Sequence, residues 1–278
     1  MVTRLSFAGV IARVFMWTFL LCLVVVVVYP LTWMVLNGFK TNAELFGNPF
    51  ALPMQWGWEN YSDAWNRGVS NYLTTSILVT VTSTIATVFI SAWAAYGLTR
   101  VEIPFSRTWA TIILGGLMLA PTVALVPLVK MFQGMGLYNT FWALLILYTA
   151  FRIPFTTFLI RAYMIDLPRE VDEAAEVDGA SRWTAFWRII LSMCRPIIIS
   201  VVILHILFAW NEYLFAMVFT SGTDMQTLPV GLTSLMSKHG TDYPVVFAGM
   251  VIAALPVVIL FFVCQRYFVK GLADGIGK

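Results

Sequence analysis

The sequence is poor in charge: only 11% of its 278 residues are Asp, Glu, Lys or Arg, while 60% are hydrophobic. A soluble domain carries roughly 25% charged residues, which cover its surface. A chain with so little charge therefore indicates a membrane protein that crosses the bilayer several times. Its formal net charge of +3 is too small to indicate a nucleic-acid partner.

Cysteine is also scarce, and the three cysteines, Cys22, Cys194 and Cys264, lack the spacing of a metal site. We interpret them as inert small hydrophobes. The stretch nearest to a phosphate-binding loop is GLADGIGK at 271–278. Its glycines are one residue further apart than the G-x4-G-K-[ST] motif allows. We therefore expect no catalytic site, no metal site and no nucleotide site in this chain.

Long apolar runs are abundant. A membrane helix needs about 20 mainly apolar residues, because the hydrocarbon core is about 30 Å thick. Six segments qualify, at about 15–36, 72–97, 109–129, 139–160, 197–220 and 244–265. The first is too long for the apolar part of a signal peptide and is followed by no small-residue cleavage site. The sequence thus predicts an all-α membrane protein with six spans and one domain, 1–278.

The distribution of Lys and Arg predicts the topology. With a cytoplasmic N-terminus, the four outside residues are Lys40, Arg67, Lys130 and Lys238. The twelve inside residues are Arg4, Arg13, Arg100, Arg107, Arg161, Arg169, Arg182, Arg188, Arg195, Arg266, Lys270 and Lys278. Because Lys and Arg concentrate in cytoplasmic loops, we expect both termini in the cytoplasm.

The outer loop from about 38 to 71 contains NPFALPMQWGWENYSDAW, which suggests a short ordered surface element. Two interpretations of Trp56, Trp58, Tyr61 and Trp65 remain open. These residues form an interfacial aromatic belt, or they belong to a surface that receives a solute-binding protein.

The inner loop from about 161 to 196 holds five of the 14 acidic residues, between Glu170 and Asp178. Pro168 and the acidic residues after it suit the first turn of a helix. Gly179 suits a left-handed cap at its end, and Ser181 is a candidate cap for a second helix. The acidic residues are either a solvated face or the rim of a docking element whose small Ala174 and Ala175 allow close approach.

The stretch EAAEVDGASRWTAFWRIIL resembles the EAA loop of ATP-binding cassette (ABC) importer permeases, whose pattern is E-A-A, three residues, G, nine residues, I-x-L-P. The motif departs at Ser192, which stands where the family has proline. FAWNEYLFAMVFTSGTDMQTLPVGL and QRYFVKGLADGIGK resemble the carbohydrate-uptake branch. The matching positions are Glu173, Ala174, Ala175, Gly179, Ile189 and Leu191.

This resemblance implies a type I importer permease in the cell (inner) membrane, where the EAA helix seats in a cleft of a cytoplasmic ATPase. Glu173 is then the anionic contact, Ala174 and Ala175 the close-approach surface, and Gly179 the turn. The implied partners are a second, homologous permease, two copies of the ATPase and an external solute-binding protein. ATP and Mg²⁺ bind the ATPase, and the solute is a sugar or a sugar-like compound.

Polar residues within the predicted spans are a second candidate site, because intramembrane charge is costly and usually faces the bundle interior. They form a translocation path or gate, or a structural ion pair between Arg152 and Glu212. Pro121, Pro127 and Pro154 are predicted to kink their helices. The candidate path residues are Arg152, His205, Asn211 and Glu212.

An ion-coupled secondary transporter is the competing class, since such proteins place ionisable groups near the bilayer midplane and often contain repeated halves. The sequence shows no convincing repeat. A membrane scaffold without transport leaves the EAA spacing unexplained. Within the importer class, a non-sugar solute is the weaker alternative.

Overall fold

A computed structural model describes residues 7–222, 225–238 and 242–276, and within these ranges the chain is helical and contains no strand. The predicted all-α class is confirmed. Among the basic residues used for the topology, Arg4 and Lys278 lie outside the described residues, as do the side chains of Lys238, Arg266 and Lys270.

Four helices occupy the first hundred residues. The third continues through a wide-turn (π-helical) segment, Trp65–Val69. Within it Gly68 has a φ of 124°, which interrupts the helical geometry. The bounds are α1, Phe7–Asn37; α2, Asn42–Gly47; α3, Glu59–Ala64; and α4, Ser70–Arg100.

Ten further helices follow, and α9 and α10 are the two ends of one helical stretch joined by the wide-turn segment Ala185–Ile190. The bounds are α5, Ser106–Gly115; α6, Pro121–Gly134; α7, Phe141–Ile165; α8, Glu170–Val177; α9, Arg182–Thr184; α10, Leu191–Met193; α11, Arg195–Asn211; α12, Leu214–Phe219; α13, Leu228–Lys238; and α14, Tyr243–Ile276.

Four stretches of described helix are long and apolar enough to cross a membrane, and the number becomes six if each of two sharply bent pairs forms one span. The four cover Ile11–Asn37, Glu59–Arg100, Phe141–Ile165 and Tyr243–Gln265. They coincide with the first, second, fourth and sixth predicted spans.

The third predicted span, 109–129, is broken rather than kinked, with 97° between Ser106–Met118 and Pro121–Gly134. Pro121 lies in the first turn of α6, and Ala120 before it is extended at φ −71° and ψ 122°. Proline restricts the preceding residue to such extended geometry, so a helix starts at Pro121 and cannot run through it. Pro127 and Pro154, in contrast, lie inside α6 and α7.

A continuous helix over the fifth predicted span, 197–220, is wrong. Helix α11 ends at Asn211, Glu212 is extended, and the short α12 begins at Leu214. The bent pair that could make one span here is Arg182–Met193 with Arg195–Asn211, at 78°. The break has a local cause, because the Glu212 carboxylate accepts hydrogen bonds from the backbone amides of Phe215 and Ala216 and so starts a new helix.

The described chain divides into two compact units, the first formed by residues 1–69 and 232–255. In this unit Thr41 and Glu44 form a capping box at the start of α2. The buried Lys40 amino group donates to the backbone carbonyls of Asn48 and Pro49 at 3.3 and 3.0 Å. Burial lowers the pKa of Lys40. The outer loop is therefore ordered around an internal cation.

The second unit comprises residues 70–231 and 256–278 and contains the inner loop. Its centre is the pairing of α4 with α7, joined by α11. One face of α4 is made of small polar residues whose side chains are buried: Ser76, Thr80, Ser83, Thr87 and Ser91. Small residues let membrane helices approach closely, so this face explains the tight packing.

Candidate functional site

The inner loop folds as two short helices separated by a sharp turn. The first, α8, has Glu170, Asp172 and Glu173 in its first turn, where the helix dipole favours negative charge. It ends at Val177, and Gly179, two residues later, has a φ of 73°. The amide of Ala180 then donates to the carbonyl of Ala175 at 2.9 Å and closes the cap. Glycine is suited to this position because it adopts positive φ without strain.

The second helical stretch starts at Ser181, whose hydroxyl accepts from the Thr184 amide at 3.2 Å. It ends at Cys194, where the chain bends by 78° into α11. Pro196 lies in the first turn of α11. The Ser192 hydroxyl donates to the Ile189 carbonyl at 2.6 Å. The helix therefore ends at Cys194, two residues after Ser192, which stands where the family has proline.

The two alanines of the motif have different surroundings. Ala175 is only 4% exposed and faces the chain's own second helical stretch. Ala174 and Glu173 are exposed, and Val177 is 87% exposed. Glu170 and Glu176 are exposed as well, and Glu173, Ala174 and Val177 adjoin one another on one free face of α8. The sequence motif assigns Ala174 and Ala175 to one close-approach surface. Adjacent residues on a helix, however, point about 100° apart, so the two alanines lie on different sides of α8.

Aromatic packing fixes the second stretch against α4. Phe186 and Ile190 are buried, and the ring of Phe186 lies 5.0 Å from Tyr96 and 5.9 Å from Trp93. Trp183 and Trp187 of the same stretch remain 53% and 38% exposed. Both still contact α4, since the ring centroid of Trp183 lies 4.8 Å from that of Trp93 and the ring centroid of Trp187 lies 5.8 Å from that of Phe89.

The last two candidate motif residues lie within this packing. Ile189 is half-buried, and Leu191 is partly buried against a cluster that includes Ile190 and Cys194. The Leu191 side chain therefore packs the second stretch in place, whereas the exposed residues of α8 are free to meet another chain.

Arg100 is a residue that the sequence did not single out. Its side chain, 5% exposed, forms an ion pair with Asp172 of α8. The same guanidinium donates to the backbone carbonyl of Met164 and, at 2.8 Å, to that of Leu167. One turn earlier, the Tyr96 hydroxyl donates to the Arg182 carbonyl at 3.3 Å. A basic residue in the last turn of α4 was the only signal, and it does not reveal partners 64 to 72 residues away.

Arg152 and Glu212 do not form the ion pair that was one of the two sequence interpretations. The Arg152 guanidinium lies 4.8 Å from the centroid of the Phe155 ring and 4.6 Å from that of Phe208. Glu212 instead accepts a hydrogen bond from the Tyr148 hydroxyl at 2.9 Å, besides those from the start of α12. Each charge is thus stabilised separately, by ring faces in one case and by hydrogen-bond donors in the other.

The other two candidate path residues are also placed by local contacts. His205 is fully buried, and its Nε2 lies 3.1 Å from the Ser83 hydroxyl of α4. The Asn211 side chain donates to the Leu207 carbonyl at 2.7 Å. Because α11 ends at Asn211, His205 and Glu212 do not share one continuous helix face. Among the residues that the structure describes, no three His, Cys, Asp or Glu side chains are arranged to hold a metal ion.

Comparison with known proteins gives concordant results. Residues 87–274 match the family described as the binding-protein-dependent transport system inner membrane component. The chain is 44% identical over 262 residues to the probable ABC transporter permease protein YurM of Bacillus subtilis, covering 94% of this chain and 87% of that protein. It is 34% identical to the diacetylchitobiose uptake system permease protein NgcG of Streptomyces coelicolor, covering 90% and 84%.

A further relative and a solved structure extend the likeness. Identity is 33% to the trehalose/maltose transport system permease protein MalG of Thermococcus litoralis, over 91% of this chain and 92% of that protein. The fold resembles a chain from the crystal structure of a bacterial ABC transporter involved in the import of the acidic polysaccharide alginate. That match has a TM-score of 0.83 and 22% identity, and covers 95% of this chain and 98% of the other.

Proposed function

This chain belongs to the family of binding-protein-dependent transport system inner membrane components and is a permease subunit of an ABC importer; from that membership we propose that the exposed face of α8 docks an ATPase carried by a separate chain. The observation that carries the proposal is the geometry of the inner loop. A short helix exposes Glu173, Ala174 and Val177, while its opposite side and the stretch after it are fixed to the membrane helices.

The docking role assigns a part to each motif residue. Glu173 supplies an exposed negative charge at the positive end of the helix dipole, suited to a cationic partner group. Ala174 lets the partner's backbone approach closely, because its side chain is short. Gly179 sets the angle between α8 and the next stretch through its positive φ. Ala175, Ile189 and Leu191 hold the loop to its own chain.

The assembly that we propose pairs this permease with a second, homologous permease, two copies of the ATPase and an external solute-binding protein. ATP and Mg²⁺ bind the ATPase. All 278 residues form one functional membrane domain, and both termini lie in the cytoplasm, supported by the twelve-to-four distribution of basic residues. That topology places α8 on the side where ATP is available.

The proposed solute is a sugar or a sugar-like compound. The support comes from relatives named for diacetylchitobiose and trehalose/maltose uptake. We further propose that Arg152 lies along the translocation path, with His205, Asn211 and Glu212 near it. An intramembrane cation without an acidic partner usually faces the interior of a bundle, where solute or water passes.

Affinity purification of the chain from its own host in mild detergent, with mass spectrometry of every co-purifying chain, tests this assembly. We expect an ATPase with a complete phosphate-binding loop and a second permease. The solute specificity of the accompanying binding protein then tests the sugar assignment. A chain that purifies alone and catalyses ion-dependent uptake in vesicles is an ion-coupled transporter, and the proposal is then wrong.

A further inference from the structure

Arg100 is the last residue of α4, and its buried guanidinium contacts two other elements. The carboxylate of Asp172 belongs to α8, and the carbonyls of Met164 and Leu167 belong to the end of α7 and the turn after it. A guanidinium has five N–H donors in a planar fork, so it can serve these acceptors at once. Three separate parts of the chain thus meet at one side chain.

The two kinds of acceptor at this junction are both favourable for a cation. The Met164 carbonyl lies in the last turn of α7, at the negative end of that helix dipole, and it also accepts the Leu167 amide at 3.3 Å. The Asp172 carboxylate adds a full negative charge, and its side chain is 28% exposed against 5% for Arg100. Charge-assisted hydrogen bonds in a partly buried setting are stronger than neutral ones. The contact is therefore stiffer than an ordinary surface ion pair.

Tyr96 extends the same connection to the other half of the inner loop. It lies one helical turn before Arg100, and its hydroxyl donates to the Arg182 carbonyl, at the start of the second stretch. The final turn of α4 consequently contacts the loop on both sides of Gly179. Neither half of the loop can shift far without moving α4 or breaking a contact made by Tyr96 or Arg100.

We propose that Arg100 is a positioning residue that makes α8 move together with α4 and α7, so that a displacement of α8 by the ATPase reaches the membrane helices. This inference rests on the docking role of α8 proposed above. Without Arg100, the ATPase still binds the exposed face of α8, but α8 rotates about Gly179 and part of its displacement is lost. ATP is then hydrolysed with less solute transported.

The test uses the complete importer, with both permeases, the ATPase and the binding protein, in proteoliposomes where solute uptake and ATP hydrolysis are measured together. Arg100→Met keeps the length of the side chain and removes its charge. We expect solute transported per ATP to fall at least about fivefold, the lower end of coupling between distinct sites. Arg100→Lys should be intermediate, because a compact ammonium cannot reach all the acceptors in the same geometry.

Asp172→Asn and the double variant Arg100→Met/Asp172→Asn show whether the two residues act as a unit. We expect the double variant to be no worse than Arg100→Met alone, since both changes break the same contact. Arg169→Met is the matched control, because Arg169 is an exposed arginine at the start of the same helix. It should change the ratio less than about twofold, because exposed charges contribute little.

Two results overturn the inference. One is a wild-type ratio of solute to ATP for Arg100→Met. The other is loss of ATPase co-purification with that variant, which would make Arg100 a residue that folds the docking surface and not one that transmits its movement. Docking is tested separately with Ala174→Trp in an otherwise unchanged chain. If the ATPase still co-purifies and uptake persists, the docking face is wrong, whatever the Arg100 variants show.

Discussion

The Tyr148 hydroxyl donates a 2.9 Å hydrogen bond to the Glu212 carboxylate, and so joins α7 to the break between α11 and α12. Tyr148 is fully buried. The same carboxylate accepts the backbone amides of Phe215 and Ala216 at 2.9 and 3.1 Å. Glu212 is consequently the group that ends one helix, starts the next and ties both to α7.

Replacing Glu212 should therefore affect stability through its hydrogen bonds. Glu212→Ala removes the acceptor of three donors, and we expect a loss of about 2–3 kcal/mol in the free energy of unfolding. Glu212→Gln keeps one acceptor oxygen but turns the other into an NH2 donor that faces a donor, so it should cost about 1–2 kcal/mol, less than the alanine variant. Thermal unfolding of the detergent-purified importer measures both. Equal stability of wild type and Glu212→Ala would contradict this structural role.

Gly179→Leu should uncouple ATP hydrolysis from transport without preventing membrane insertion. No atom lies within 4 Å of a Cβ built at this position, so the cost is one of backbone and not of space. Its φ of 73° is unfavourable for a branched residue such as leucine and costs roughly 1–2 kcal/mol. The strain should change the angle between α8 and the second stretch.

Gly179→Asn is the matched control, because asparagine tolerates the left-handed conformation better than most other residues. Uptake and ATPase rates measured in the same vesicles should show a larger loss of solute per ATP for Leu than for Asn. Transport that survives Gly179→Leu at the wild-type rate would remove the reason to regard this turn as part of the docking element.

Arg152→Met should lower the initial rate of solute uptake about tenfold while the importer still assembles. The change keeps an apolar chain between the Phe155 and Phe208 rings and removes the one charge beside them. Arg152→Lys should retain part of the rate, since a Lys ammonium also interacts with ring faces. If both variants transport normally, the residue is a packing element away from the path.

The four long helices were predictable because membrane helices require long apolar runs, whereas the apolar runs at 109–129 and 197–220 are each broken. The turn at Gly179 and the cap at Ser181 were also predictable, since each depends on a few adjacent residues with defined backbone preferences. Local chemistry therefore predicted where the inner loop bends, while its docking role stays a prediction from the family resemblance.

Features that depend on distant contacts were not predictable. The partners of Arg100 lie 64 to 72 residues further along the chain. The burial of Ala175 and the exposure of Ala174 depend on which side of α8 faces the second stretch. The break at Glu212 was hidden because its apolar neighbours continue the hydrophobic run, while the decisive hydrogen bonds involve backbone amides.

Photocrosslinking tests the docking face most directly. A photoreactive amino acid replaces Ala174 in the assembled importer, and a second variant carries it at Phe50, which is 70% exposed in the loop between α2 and α3. On illumination, the account predicts that the probe at 174 is joined to the ATPase and that the probe at 50 is not. A probe at 174 that labels only lipid, or a chain without a phosphate-binding loop, would contradict the claim that α8 couples this permease to its ATPase.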